Sequence, residues 1–315
     1  MRRFFLRLHG RSVSRLTRIL VTGGSGLLGH KLVGLASGKG HEVYAAFNEH
    51  QPPSGRRILL DQTDERQVKK IVGEIRPEII VNSAAMTDVD LCETQPDIAF
   101  LVNAQSVSYL ASAARKSNSF LLQLSTDYVF GGDKGNYSEA DPPNPMNHYG
   151  LSKLKGEEAT KAAGEGNWGV ARASVVYGWG RPHRPNAASY VYDKLSKGEK
   201  ISVVVDQYSS PTLNTNLAGM VLEIAERKVP GIIHTSGASR LSRYGFAVSI
   251  ARTFGLDESL ISSVETKNLN WKAKRPVDSS LGTSKASRTL LNPPLPIDQA
   301  LRLLASERAS IAPLT

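Results

Sequence analysis

The stretch RILVTGGSGLLGHKL (18–32) constrains the fold more than any other part of the chain. Gly23, Gly26 and Gly29 follow directly on an apolar run that reads as a strand, and precede helical periodicity. A strand that turns sharply into a helix needs a residue free to take positive φ, and Gly23 supplies it. Gly26 lets the backbone approach a pyrophosphate, and Gly29 lets helix and sheet pack closely. The free N–H groups of the helix start, with Ser25, Leu27 and Leu28 around them, then meet the phosphates of a dinucleotide, helped by the helix dipole. A glycine triplet alone is a common turn; its place between strand and helix gives it weight.

The same alternation continues along the first half. Strands are predicted at 18–21, 42–47, 57–60, 79–82, 120–124 and 168–174, and helices at 27–36, 68–75, 96–116 and 149–163. Such an order implies an α/β fold: a doubly wound parallel sheet of Rossmann type with helices on both faces. The polar segment 131–147 holds Pro142, Pro143 and Pro145, so it reads as a surface loop. Beyond residue 176 the pattern is less regular. The expected organisation is a leader at 1–17, a dinucleotide-binding domain at 18–176, and a smaller lobe at 177–315 for substrate, some of whose elements return to the first domain.

Composition narrows the setting. The chain is 40% hydrophobic and 22% charged, as in ordinary globular proteins, and no apolar run nears the ~20 residues that cross a bilayer. The single Cys92 excludes an internal disulfide and a cysteine metal cage, which points to the cytoplasm. The net charge is +10, but Arg2, Arg3, Arg7, Arg11 and Arg15 of the acid-free leader supply half of it, so a nucleic-acid partner is not expected. That leader has the composition of a transit peptide, yet a disordered tail or an over-extended start explains it more simply. The seven histidines are scattered, so no metal site is expected.

Two further groups carry chemistry. At the end of the second predicted strand, where an acid would bind the adenosine ribose of NAD, stand Phe47 and Asn48. With no carboxylate there, NADPH is the preferred cofactor and NADH the second; Arg56 or Arg57 is the expected partner of the extra phosphate, and Glu49 argues the other way. Asp61 is expected at the adenine rim. Tyr149 and Lys153 lie four residues apart, on one face of a helix. The ammonium is expected to lower the phenol pKa and make Tyr149 a proton donor or acceptor near neutrality. Ser125 and Thr126 end a buried strand, where ligands gather in open α/β sheets.

With these motifs assembled, the chain resembles the extended short-chain dehydrogenases, and within them the dTDP-4-dehydrorhamnose reductase family. The Gly-x-x-Gly-x-x-Gly spacing matches, as do VTGGSGLLGHKL, VNSAAMTDVDLCETQPDIAFLVNA, LSTDYVFGGDKGNYSEADPPNPMNHYGLSKLKGE, ARASVVYG, DQYSSPT and RPVDSSLGTSKAS. The resemblance implies that Thr126 hydrogen-bonds the substrate carbonyl, Tyr149 donates the proton, and Lys153 also binds the nicotinamide ribose. It places Ala84, Ala85 and Thr87 along the dinucleotide, Asp127 against substrate, and Asn103 behind the site on the central helix. The implied activity is reduction of the C4 ketone of a nucleotide-activated 4-keto-6-deoxy sugar. Tyr128 stands where related dehydratases carry a glutamate, so elimination lacks its base.

Departures from the family pattern matter too. Val175 replaces a substrate-contacting tryptophan, for which nearby Trp179 is a candidate substitute. Lys31 replaces a glutamate that holds magnesium between subunits in some members, so a metal-bridged dimer is not expected, although a homodimer is compatible. His148 reads as a surface residue beside Tyr149. Arg181 and Arg184, in RPHRPN, are candidates to clamp a nucleotide diphosphate. The alternative from a different class is an NADP-binding regulatory subunit resembling the β subunit of methionine adenosyltransferase, whose partner would be that enzyme.

Overall fold

Strands buried on both faces carry apolar runs without polar alternation, and the central sheet is built from such runs. The computed structural model describes residues 16–180 and 185–310. Its main sheet comprises β1 (Arg18–Thr22), β2 (Glu42–Phe47), β3 (Arg56–Leu59), β4 (Ile79–Asn82), β5 (Phe120–Thr126), β6 (Trp168–Ala173) and β7 (Gly231–His234). All pair in parallel, in the order β7-β6-β5-β4-β1-β2-β3. The order reverses between β1 and β4, and in a doubly wound sheet that reversal opens a crevice at the carboxyl ends of the strands.

The longer helices are α1 (Gly29–Gly38), α2 (Glu65–Ile75), α3 (Ser106–Ser117), α4 (His148–Thr160), α5 (Ala187–Leu195), α6 (Asn214–Glu226), α7 (Arg243–Phe254) and α8 (Ile297–Ser310). One face of the sheet is sealed by α1 and α6 through Leu32, Val33, Leu217 and Val221. The other is sealed by α2 and α3 through Val68, Val72, Leu110 and Ala111. A separate core joins α5, α7 and α8 around Tyr177, Val191, Phe246, Ile250, Leu301 and Leu304. Thus α6 and β7, although late in the chain, belong to the main sheet. Lys31 of α1 pairs with Glu307 of α8 at 3.0 Å and ties that second core to the first helix. No helix among the described residues is long and apolar enough to cross a membrane.

One predicted element is broken. The helix expected at 96–116 is Pro96–Phe100, then a π-helical turn over Leu101–Gln105, then α3. α4 crosses closely here: a β-carbon at Gly156 would lie 2.2 Å from the Asn103 carbonyl oxygen. The widened turn accommodates that approach and buries Asn103, whose side chain accepts from Met86 N at 2.9 Å and donates to Met86 O at 3.0 Å. β5 runs two residues further than predicted because β6 keeps pairing as far as Thr126 with Ala173.

A buried ion pair fixes α4 to β6. Arg172 Nε and Nη2 donate to Glu157 Oε1 and Oε2 at 2.8 and 2.7 Å, and Ser125 Oγ donates to Oε1 at 2.5 Å. Arg172 also lies 5.1 Å over the Phe130 ring. Burial, with Arg172 alongside, pushes His234 down to about 4 against the opposing pull of Glu139 and of backbone hydrogen bonds with Gly282 and Tyr137. Removing one member of a buried pair strands the other. Arg172→Leu is therefore expected to lower the unfolding free energy by about 3–5 kcal/mol in urea titrations. A loss below about 1 kcal/mol would mean that Glu157 finds water or another partner.

Candidate active site

Two connected hollows occupy the crevice. The smaller, of about 370 Å³, is lined by Thr22, Gly23, Phe47, Asn48, Asp61 and Ala84, among others. The larger, of about 760 Å³, is lined by Gly26, Leu27, Leu28, Thr87, Thr126, Asp127, Tyr149, Lys153 and Val175, among others. Ser25, Glu49, His50 and Ala85 border both, so the pair forms one elongated trough over the glycine turn.

The turn suits phosphate. Gly23 sits at φ 64°, and a β-carbon there would lie 2.8 Å from Ala84 N, so the loop after β1 lies directly against the loop after β4. At Gly29 a β-carbon would lie 2.0 Å from the Gly23 carbonyl oxygen. α1 starts without a side-chain cap. Among the described residues, no acceptor is found for the N–H groups of Ser25, Leu27 and Leu28, which leaves them for an anion.

Beneath the trough a line of buried side chains crosses the sheet. Thr22 Oγ1 donates to Asn82 Oδ1 at 2.5 Å, Asn82 Nδ2 to Gln123 Oε1 at 2.7 Å, and Gln123 Nε2 to the Leu124 carbonyl at 2.8 Å. The same carbonyl accepts Lys153 Nζ at 2.6 Å. β4 ends at Asn82, opposite Gln123, so no backbone N–H from β4 reaches Leu124 O and side chains fill its place. Lys153 is 3% exposed, and its ammonium, with three donors, has this one acceptor among the described residues. An incompletely satisfied buried ammonium beside a phosphate-binding turn fits a bound dinucleotide.

Burial sets the ionisation here. It lowers Lys153 to about 8, with Glu157 opposing the shift. Tyr149 is raised above its ordinary value, chiefly by burial and despite a hydrogen bond with Thr126. The expected lowering of the phenol by the ammonium is therefore not found: Lys153 is aimed at Leu124 O, and desolvation of the phenolate dominates. Asp127 is also raised by burial, partly offset by donors from Ser279 at 2.5 Å, Ser174 at 2.8 Å and Thr126 at 3.1 Å.

This arrangement has known counterparts. The family described as RmlD substrate binding domain matches residues 17–309. A solved structure of dTDP-4-dehydrorhamnose reductase from Bacillus anthracis str. Ames, in complex with NADP, superposes with a TM-score of 0.84 at 30% identity, covering 93% of this chain and 100% of that one. The chain belongs to the dTDP-4-dehydrorhamnose reductase family. Among its curated relatives, the Spore coat polysaccharide biosynthesis protein SpsK of Bacillus subtilis (strain 168) is 35% identical over 300 residues, covering 94% of this chain and 99% of the relative. Methionine adenosyltransferase 2 subunit beta of Rattus norvegicus is 32% identical over 278 residues, covering 85% of this chain and 81% of the relative.

Several residues singled out in the sequence lie elsewhere. Asn103 borders neither hollow; it grips Met86 and donates to Ser152 Oγ at 3.1 Å. Gly29 does not border the trough; it packs under the turn, in the close helix–strand contact for which the motif calls. Arg56 and Arg57 begin β3, at the end of the sheet opposite the crevice. Arg56 pairs with Glu42, and Arg57 donates to Pro52 O and Gln51 Oε1, so neither lines the smaller hollow. Trp179 does not replace the missing tryptophan: its Nε1 donates to Leu304 O at 2.7 Å and its ring packs on Tyr192 and Phe254 in the second core. His148 turns to Glu93 and the edge of Phe100. Residues 1–15, most of the leader, and Arg181 and Arg184 lie outside the described residues.

Other lining residues carried no sequence signal of their own. Leu217 of α6 and Asn186, which caps α5, reach the trough only through tertiary folding. Gly150 was readable within YGLSK: a β-carbon there would lie 2.0 Å from Tyr128 O, so glycine lets α4 approach the strand end.

Lys153 in the folded protein releases its proton near 8, whereas its ordinary value is 10.5. Between those values the unfolded chain binds more protons, so the residue's contribution to stability rises with pH. Relative to Lys153→Met, the wild type should gain up to about 1.4 kcal/mol per pH unit across that window. Urea titrations of both proteins from about pH 7.5 to 10 measure this, and a flat difference contradicts a depressed lysine.

Proposed function

We propose that the protein reduces the C4 ketone of a nucleotide-linked 4-keto-6-deoxy sugar, with NADPH as the preferred and NADH as the second electron donor. The observation that carries this reading is that Thr126, Tyr149 and Lys153 line one cleft together with the phosphate-binding turn. Membership of the reductase family supports it.

The Ser25–Leu28 turn, Ala84, Ala85 and Thr87 would hold the dinucleotide, with Phe47, Asn48 and Asp61 at its adenosine end. When bound, the reduced nicotinamide supplies a hydride to the carbonyl carbon. Thr126 Oγ1 and Tyr149 Oη hydrogen-bond the carbonyl oxygen and stabilise the charge that grows there. Tyr149 suits the reductive direction because its raised pKa keeps the proton on Oη until an alkoxide forms and takes it. Lys153, held by Leu124 O, would offer its other N–H groups to the nicotinamide ribose. Asp127, buried and ringed by hydroxyls, borders the trough and would meet substrate there. Tyr128 in place of a carboxylate leaves no base for elimination.

Tyr149→Phe should lower turnover at least about a hundredfold, the scale of a positioned acid, while NADPH affinity stays near wild type. Following NADPH oxidation with dTDP-4-keto-6-deoxy sugars measures the first and titration calorimetry the second. Undiminished turnover in the variant would remove the assignment.

A second reading is favoured by one observation, the 32% identity to methionine adenosyltransferase 2 subunit beta. Under it the trough binds NADP and the protein serves a partner enzyme. Co-purification with a methionine adenosyltransferase, together with no NADPH oxidation across the sugar panel, is the outcome that selects it.

A further inference from the structure

Tyr128, which borders the trough, stands edge-on to Tyr149 with ring centroids 5.8 Å apart and planes at 70°. Its hydroxyl accepts from Arg243 Nη2 at 3.0 Å. Arg243 opens α7, is half-buried, and lies 5.9 Å over the Trp271 ring. It therefore meets the trough through Tyr128, from the side of the second core, just behind the residues that line it.

Two other arginines of this region are neutralised. Arg275, on the same indole at 4.8 Å, grips both oxygens of Asp90 at 2.8 and 3.0 Å. Arg240, 3.9 Å over Tyr208, donates to Asp278 at 2.7 Å. Arg243 differs: among the described residues it pairs with no carboxylate, only with a phenol and an indole face. A guanidinium partly withdrawn from water without a counter-anion is disfavoured unless an anion completes it. Its planar fork of donors matches phosphate oxygens.

We infer that Arg243 reads the diphosphate of the substrate, and so makes the site selective for nucleotide-linked over free sugars. The inference rests on the reductase reading. A carbonyl held at Thr126 and Tyr149 leaves the anomeric end of the sugar to extend outward past Tyr128, and the phosphates come next in the chain of atoms. Trp271 and Tyr128 then hold the guanidinium in place from two sides, which lowers the conformational entropy lost when the anion arrives.

Thymidine diphosphate is the probe, titrated calorimetrically into the full chain, with NADPH titrated separately to report an intact fold. Arg243→Gln keeps a donor for Tyr128 and removes the charge; Arg243→Lys keeps the charge. The glutamine variant should bind thymidine diphosphate about 10- to 100-fold more weakly than wild type, the range of charge-assisted hydrogen bonds. The lysine variant should recover part of that loss, and raising the salt should weaken wild type more than the glutamine variant. NADPH affinity should be the same in all three.

If wild type binds the probe and the glutamine variant binds it equally well, Arg243 acts only through Tyr128; the inference falls and the reductase reading stands. If wild type binds no thymidine diphosphate and oxidises no NADPH with nucleotide-linked keto-sugars, the underlying reading fails and takes the inference with it. Should the glutamine variant lose NADPH binding, the lysine variant decides: a salt dependence no greater than that of a neutral site overturns the proposal.

Discussion

The carbonyl of Leu124 is the acceptor on which the chemistry of the trough depends. It lies one residue beyond the last backbone pair that β4 makes with β5, where the ladder leaves an oxygen without a strand partner. Two side chains converge on it, one closing the polar line from Thr22 across the sheet and the other carrying the ammonium of Lys153. The glycine turn begins at the residue after Thr22. The place where phosphates would sit and the place where the ammonium is held are thus joined by buried hydrogen bonds, each link lying between neighbouring strands.

Burial then shapes the electrostatics. A phenol that holds its proton and a lysine that gives its proton up more readily are two effects of one cause, the scarcity of water around the head of α4. Among the described residues, neither group has a carboxylate in direct contact. Glu157, which follows Lys153 by one helical turn, is committed to Arg172 and Ser125. That leaves ligands to supply the missing partners, and a ligand that does so has more to gain there than at the surface.

Local features made much of this legible. The glycine triplet, the buried strands and the four-residue spacing of Tyr149 and Lys153 each depend on near neighbours in sequence, and the sheet and the floor of the trough follow from them. The parts that stayed hidden involve distance along the chain. Whether Arg56 faced the cofactor depended on which end of β3 it occupied, and Trp179 on where α8 packs. The inward turn of Asn103 answers to a crossing at Gly156, fifty-three residues on. The fate of the phenol pKa was hidden for another reason: spacing shows that two groups can meet, not how much water is left around them.

Val175 borders the trough at φ 40°, a conformation that a β-branched side chain adopts only at a penalty of about 1–3 kcal/mol. It stands where the chain leaves the main sheet, between β6 and the Val176–Tyr177 pairing with Thr212–Leu213. Relief is available chiefly through glycine or asparagine, and glycine would also strip the wall of its side chain. The neighbouring wall residues have little more freedom, since the Asn186 side chain caps α5 and Leu217 belongs to the core that seals the sheet, so the width of the trough on this side is fixed by the fold.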